Sequence, residues 1–237
     1  MDLLKWRDYE VKVERKRFYR RIAVFVEANE SVRVKVASLT PKRSIVQFLD
    51  QHADWIDKQL QQFIESKNQY PKLNYIEGEK LPLLGYQVEL VWVERSKYAL
   101  EKSKLILPKQ EFNDPAKAVR KVYKDLAVSV FQERIDFWQN KMALQMNSIK
   151  IRSYKSRWGS CSNHGDISLN WKLVAAPLAV IDYVIIHELS HIVHMNHSKD
   201  FWQLVESHCT DYLVLRKWLK KHHFYFDFLA EKSELYS

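Results

Sequence analysis

The sequence is poor in cysteine, in glycine and in long apolar runs, and each shortage excludes a class of protein. Cys161 and Cys209 are the only two cysteines among 237 residues, too few for a disulfide framework and outside any metal-binding spacing. The four glycines form no glycine-rich phosphate loop. No apolar stretch is long enough for a signal peptide or a transmembrane helix. We therefore expect a soluble, cytoplasmic protein that has no membrane partner.

Apolar and basic side chains are abundant. Hydrophobic residues make up 46% of the chain and aromatic residues 13%, which is typical of a globular protein with a large core. The formal net charge is +9 and is spread along the whole sequence, so neither half is a dedicated polyanion-binding domain. A basic surface nevertheless weakly favours anionic substrates or nucleic acid.

Residues 1–112 are predicted to form a β-rich N-terminal part with one helix. From Tyr9 to Ala37, valines alternate with charged residues, which predicts strands, and residues 28–31 predict a hairpin turn. Thr40-Pro41 predicts the start of the helix, whose apolar spacing continues to about Ser66. Further strands are predicted at residues 80–84, 87–93 and 105–107.

A basic cluster lies at the first predicted strand connection. Its members are Arg15, Lys16, Arg17, Arg20 and Arg21. The pattern favours a solvated turn whose charge discourages edge pairing, and an anion-binding role is the alternative.

Residues 113–237 are predicted to form a second region of mixed helices and strands, which places the chain in the α+β class. Asp114-Pro115 begins the longest helix, which has an apolar stripe along its length. Strands follow at Ile149–Ile151 and at Ile167–Trp171, and a long apolar helix is predicted after Pro177. Two short helices are predicted at about 199–208 and 211–221.

The segment His-Glu-Leu-Ser-His at residues 187–191 lies inside this apolar helix. On a helix, His187 and His191 share one face a turn apart, so both imidazoles point to one spot and can bind a zinc ion (Zn²⁺). Glu188 lies beside the first ligand, where its carboxylate can activate a water molecule. The pattern predicts a zinc site that activates water.

A catalytic zinc usually has three protein ligands and one open position, so a third ligand is needed. His197 is favoured because Asn196, which precedes it, tolerates the left-handed conformation that ends helices. His194 is disfavoured because it lies about 10 Å from the first ligand along the same helix. Glu206 is the other alternative, since some zinc peptidases take a carboxylate from the next helix.

Several segments resemble the YgjP-like metallopeptidase domain family, which is similar to the SprT-like and other minimal zincins. They are R-W-G-S-C-S at 157–162, G-D-I-S-L-N-W at 165–171, D-Y-V-I-I-H-E-L-S-H at 182–191 and N-H-S-K-D-F-W at 196–202. The resemblance extends from about Arg15 to Leu219. The chain departs from the metzincins, which share its histidine spacing, because His194 stands where they have glycine.

The resemblance implies a zincin-like metallohydrolase region at residues 113–237, with a long supporting helix, a small sheet and a metal helix. It also implies that His187, His191 and His197 bind zinc and that Glu188 is the base. The strand Ile167–Trp171 is expected at a sheet edge beside the cleft, where an extended peptide would add as another strand.

The segment before this strand holds candidates for stabilising the oxyanion of a tetrahedral intermediate. They are Tyr154, Arg157 and Ser160. For Arg157, a structural ion pair is the alternative. Trp158 is interpreted as a residue that packs the loop down, and Cys161 as a small buried residue instead of a nucleophile. Gly159 and Gly165 suggest tight turns.

We expect a zinc-dependent metallopeptidase in which zinc and Glu188 activate water to attack the carbonyl of a peptide or protein substrate. One alternative is a zinc-dependent hydrolase of nucleoside triphosphates, in which Arg152, Lys155, Arg157 and Lys172 contact the phosphates. The sequence contains neither a glycine-rich phosphate loop nor a carboxylate cluster that could bind magnesium, which disfavours this alternative. The other is a non-enzymatic, nucleic-acid-associated module, for which neither zinc-ribbon cysteines nor a helix-turn-helix pattern is present.

Overall fold

The computed structural model describes residues 2–26, 31–69, 73–94, 97–109, 114–154 and 157–230, which form two compact units. The first unit contains the described residues up to 69 and residues 223–225, and the second contains residues 73–222 and 226–230. Both strands and helices are present in quantity, so the predicted α+β class is confirmed. None of the described helices is both long enough and apolar enough to cross a membrane.

The first unit is a four-stranded sheet with two helices. Its elements are β1 (Asp2–Trp6), β2 (Tyr9–Lys16), β3 (Ala23–Val26), β4 (Val32–Ala37), α1 (Lys42–Gln51) and α2 (Ala53–Gln69). The strand order is β1-β2-β4-β3, in which β2 and β4 are parallel and the other pairs are antiparallel. Alternate valines of β2 and β4 are buried against Ile45, Leu49 and Ile56 of the helices, so one face of the sheet forms the core.

This unit differs from the sequence prediction in two places. The segment predicted as one helix forms two, because the backbone leaves the helical conformation at His52 (φ −113°, ψ 13°). His52 Nδ1 donates to the carbonyl of Phe48 at 2.8 Å and thereby satisfies one of the last carbonyls of α1. Strand β1 was not predicted. The turn predicted at residues 28–31 lies outside the described residues except for Ser31.

The second unit begins with a sheet of the same topology. Its strands are β5 (Lys80–Leu83), β6 (Tyr86–Val93), β7 (Ala99–Glu101) and β8 (Lys104–Pro108). Their order is β5-β6-β8-β7, and the parallel and antiparallel pairs follow the pattern of the first sheet. The chain therefore repeats one four-stranded arrangement, a repeat that its amino-acid sequence does not reveal. Strands β5, β6 and β8 correspond to the strands predicted at residues 80–84, 87–93 and 105–107 of the N-terminal part.

The remainder of the second unit consists of helices around a three-stranded sheet. Its elements are α3 (Pro115–Met142), β9 (Ser148–Arg152), β10 (Gly159–Cys161), β11 (Asp166–Asn170), a 3-10 helix (Trp171–Ala175), α4 (Leu178–Ser190), α5 (Lys199–His208) and α6 (Tyr212–Lys221). Helix α3 begins as predicted, with the Asp114 side chain accepting from the Lys117 amide. It packs against α4, and Arg134 donates hydrogen bonds of 2.7 and 2.8 Å to the Asp182 carboxylate. This bidentate pair fixes α4 on the long helix.

The three-stranded sheet has the order β10-β11-β9. Strand β11 pairs with β10 antiparallel and with β9 parallel, so it is the central strand. The expectation that Ile167–Trp171 forms an edge is therefore wrong. The edges are instead β9 and β10, and β10 lies in a segment that the sequence predicted to be a loop.

Candidate metal centre

Helix α4 carries the first two predicted metal ligands. Pro177 is its N-cap residue, and the apolar side chains from Val180 onward are buried. The helix ends at Ser190, earlier than the end predicted near Asn196. The next three backbone N–H groups bond to carbonyls three residues back, which tightens the last turn into a 3-10 form. The chain can therefore turn back toward α4 before it enters α5.

His187, His191 and His197 converge at this turn. One ligand nitrogen of each residue lies within 4.8 Å of those of the other two, and His187 Nε2 is 3.1 Å from His197 Nε2. A tetrahedral zinc ion, bound at about 2.0–2.1 Å from each nitrogen, separates its ligand nitrogens by about 3.3 Å. The distance between His187 and His197 matches this spacing, and the third imidazole lies close enough to complete a site that would leave a fourth position for a reacting molecule.

His194 contributes its backbone to this arrangement. His191 Nδ1 donates to the His194 carbonyl at 3.0 Å, which fixes the tautomer and leaves His191 Nε2 with a lone pair for a metal. Glu206, the other alternative for the third ligand, lies exposed on α5. Among the described residues, neither the His194 side chain nor Glu206 belongs to the histidine cluster.

Aromatic rings from α5 hold the three imidazoles in place. Phe201 is buried, and its ring centroid lies 4.6–4.9 Å from the centroids of all three histidines. Trp202 stacks on His197 at 5.5 Å and on Tyr212 at 5.3 Å. Phe201 and Trp202 belong to the segment at residues 196–202 that resembles the family, but the sequence alone did not indicate this role for them. Their position four and five residues after the third histidine, beyond the Ser198 N-cap, was the available signal.

The Nδ1 atom of His187 is buried, whereas the residue as a whole is partly exposed. Among the described residues, its Nδ1 atom has no hydrogen-bond partner. Burial, together with His191 and His197, lowers the pKa of His187 to about 3, and burial also lowers the pKa of His197. Both imidazoles are therefore neutral at physiological pH, the form in which histidine binds a metal.

Glu188 is the buried carboxylate of the site, with an exposed fraction of only 5%. Burial raises its pKa to about 8, and the positive charge of Arg157 acts in the opposite direction. A pKa near neutrality suits a group that accepts and returns a proton. A bound divalent cation would further favour the charged carboxylate.

Gly159 makes room for this carboxylate. A Cβ atom at this position would lie 2.5 Å from Glu188 Oε1 and 2.7 Å from its Cγ, closer than atoms can approach. Gly159 lies within β10, so its role is close approach instead of the turn suggested by the sequence. Gly165, with φ +75°, does occupy a turn.

Gly159→Ala is expected to displace Glu188 and lower hydrolysis by roughly 10²-fold, because misplacing a catalytic group by about 1 Å has that effect. Zinc content should remain unchanged, since the histidines are untouched. Overpacking should also lower the free energy of unfolding by about 1–3 kcal/mol. The measurements are the hydrolysis rate, metal analysis and urea unfolding.

Gly78→Ala is the matched control for this substitution. A Cβ at Gly78 meets nothing within 4 Å, but φ is +80°, so the variant carries backbone strain without contact with Glu188. It should keep full activity. If Gly159→Ala were also fully active, the contact between β10 and Glu188 would have no part in catalysis.

The candidate oxyanion residues lie together beside β10. Tyr154 Oη is 3.3 Å from Ser160 Oγ, and this hydrogen bond lowers the pKa of Tyr154. Arg157 Cζ lies 5.1 Å from the centre of the Tyr154 ring. Because side chains alternate along a strand, Ser160 points to the face opposite Gly159, which faces Glu188. The charge of Arg157, however, acts on the Glu188 carboxyl.

The other residues considered in this region are Cys161, Trp158 and the cations proposed to contact phosphates. Burial, with the charge of Glu188, raises the pKa of the Cys161 thiol to about 11, so the thiol stays protonated and is a poor nucleophile. Trp158 packs against Phe226 with ring centroids 4.2 Å apart. Of the cations considered for phosphate binding, Lys172 is buried, Arg152 is exposed at the end of β9, and Lys155 lies outside the described residues.

Comparison with known proteins places this site in a family. The model of the YgjP-like metallopeptidase domain matches residues 20–222, a range that includes α3, the three-stranded sheet, α4 and all three histidines. No curated protein and no solved structure matches the chain. The family match covers most of the sequence, and the chain therefore belongs to the YgjP-like metallopeptidase domain family.

Proposed function

We propose that this protein is a zinc-dependent metallopeptidase in which Glu188 is the general base. The observation that carries the proposal is the convergence of three imidazoles beside the buried Glu188 carboxylate. His187, His191 and His197 would hold the zinc ion. When bound, zinc would supply Lewis-acid activation of water and polarisation of the substrate carbonyl.

The residues of the chain account for the proton transfers of peptide hydrolysis. The Glu188 carboxylate would accept a proton from the attacking water and return it to the departing amine. Its raised pKa keeps both protonation states accessible near neutral pH. Contact with the backbone of β10 at Gly159 would hold the carboxylate in one position.

The edge strand β10 supports a peptide as the substrate. Among the described strands, β10 pairs only with β11. An extended peptide could add to an edge strand through backbone hydrogen bonds, with no requirement for a particular side chain. Because Gly159 of β10 lies against Glu188, a peptide bound in this way would pass close to the base.

The test is a substrate screen with the zinc-loaded protein. Unfolded casein, short peptides and nucleoside triphosphates would be incubated with the wild-type chain and with Glu188→Gln, followed by mass spectrometry and phosphate assays. Cleavage of peptide bonds by the wild type, lost in the variant, is expected. Phosphate release from nucleotides without peptide cleavage would replace the proposal with a phosphoanhydride hydrolase.

A further inference from the structure

The sheet of the first unit has a second face, opposite the helices. The strand register places Leu3, Lys12, Arg33 and Phe25 in one row across all four strands on this face. Leu3 is 62% exposed and Phe25 is 39% exposed, although both are large and apolar. The two apolar side chains lie at the ends of the row, and the cations Lys12 and Arg33 lie between them.

This outer face is basic. Alternation along the strands places on it five cations and two carboxylates: Lys5, Lys12, Lys16, Arg33, Lys35, Glu10 and Glu14. Glu14 is neutralised by Lys16 at 3.0 Å and by Arg33 at 2.9 Å. Arg17, Arg20 and Arg21 are exposed in the connection after β2 and add to the positive charge.

Aromatic rings lie among these cations. Arg33 Cζ is 4.5 Å from the centre of the Phe25 ring, and Lys35 Nζ is 5.0 Å from that of Tyr19. Phe18 is 90% exposed beside Arg17. The surface therefore offers ring faces for stacking next to positive charges.

The second four-stranded sheet shows that topology alone does not produce this surface. At the positions equivalent to Leu3, Lys12, Arg33 and Phe25, the register places Lys80, Glu89, Lys104 and Glu101. That row has balanced charge and no aromatic ring. The combination of cations and rings is thus a property of the first sheet.

Arg15 does not belong to this surface. It bonds Asp2 at 3.0 Å and the carbonyls of Ser38 and Thr40 at 3.0 and 2.9 Å. Of the basic cluster noted in the sequence, Arg15 therefore stabilises the fold and Lys16 pairs with Glu14, while Arg17, Arg20 and Arg21 are exposed.

We propose that the outer face of this sheet binds a single-stranded nucleic acid. Bases would stack on Phe25 and Tyr19, while Lys12, Arg33 and Lys35 would contact phosphates. Only an unpaired strand exposes its base faces to such a surface, which disfavours a duplex. The proposal goes beyond the peptidase function and uses none of the residues of the metal centre.

The test uses the full chain and a fluorescently labelled oligo(U) of about twelve nucleotides, a length that a surface of this kind can cover. Fluorescence anisotropy should show binding that weakens with salt. Three or four neutralised phosphates would give a slope of log K against log [salt] of about −2 to −3.

Two variants and two controls locate the surface. Lys12→Glu, which introduces the residue found at the equivalent position 89, and Phe25→Ala should each weaken binding by about tenfold. Lys58→Glu and Trp55→Ala make the same types of change at exposed positions of α2, in the helix layer, and should leave affinity unchanged. Thermal unfolding and zinc content should be similar for all four.

Three results would overturn the proposal. One is equal affinity of the variants and the controls, and another is binding of a duplex of the same length as tightly as the single strand. The third is binding to phosphatidylcholine vesicles that contain phosphatidylserine, weakened by Lys12→Glu, without any binding to oligo(U).

Discussion

Glu188→Gln is expected to keep about one zinc per chain and to lower the hydrolysis rate by roughly 10²–10⁴-fold, the usual contribution of general acid–base catalysis. The amide has nearly the size of the carboxylate and fits the space left by Gly159, but it cannot accept a proton from water. The three histidines remain, so metal binding should be preserved. Because the amide avoids the cost of ionising a buried carboxyl group, we expect the free energy of unfolding to be unchanged or higher.

Glu206→Gln provides the matched control. It makes the same chemical change at an exposed carboxylate of α5 and also tests the alternative third ligand. This variant should retain both zinc and activity. Loss of zinc in Glu188→Gln would instead make Glu188 a ligand, and full activity with zinc retained would mean that the reaction takes place elsewhere on the chain.

His197→Ala should weaken zinc binding much more than His194→Ala does. His197 offers a nitrogen 3.1 Å from that of His187, so its removal deletes one of three ligands. Removal of a partner that only orients a ligand weakens metal affinity by about 10–100-fold. The loss of zinc affinity in His197→Ala should be larger. Affinity can be measured by competition with a chromophoric chelator.

His194→Ala is a control of matched chemistry three residues away. The structure uses the carbonyl of His194, which alanine retains, to orient His191. Zinc affinity should therefore change little. Equal losses in the two variants, or a larger loss for His194→Ala, would show that the third ligand is wrongly assigned.

The metal helix could be predicted because its signal is local. Two histidines four residues apart on an apolar helix lie on one face whatever surrounds them. The end of the helix was less predictable, since a 3-10 tightening depends on how the chain enters α5. The structure nevertheless brings His197, the residue favoured from the sequence, beside His187.

The surroundings of Glu188 could not be predicted because they depend on contacts between distant segments. Gly159 meets Glu188 only because β10 pairs with β11 and then packs against α4. When a segment is predicted to be a loop, its sequence does not indicate which side chains point toward Glu188 and which point away. For this reason Ser160 was a natural candidate beside Gly159, although strand alternation directs it to the opposite face.

The order of the strands in the sheets could not be predicted from the sequence pattern either. Strand β11 is rich enough in apolar residues to be recognised as a strand, but its central position requires knowledge of β10 as its partner. Likewise, the two four-stranded sheets share strand order and the direction of each strand pair, while the residues on their outer faces differ in charge. A repeat of this kind lies in how the strands pair through their backbones. A comparison of the side chains along the sequence therefore does not detect it.

The most direct test of the metal centre is the zinc content of the purified chain, measured by elemental analysis before and after chelation. We expect about one zinc per chain, lost with the chelator and restored on addition of zinc to the wild type but not to a His187→Ala, His191→Ala double variant. Absence of any bound transition metal after reconstitution of the folded wild-type chain would contradict the assignment of these histidines as a metal centre.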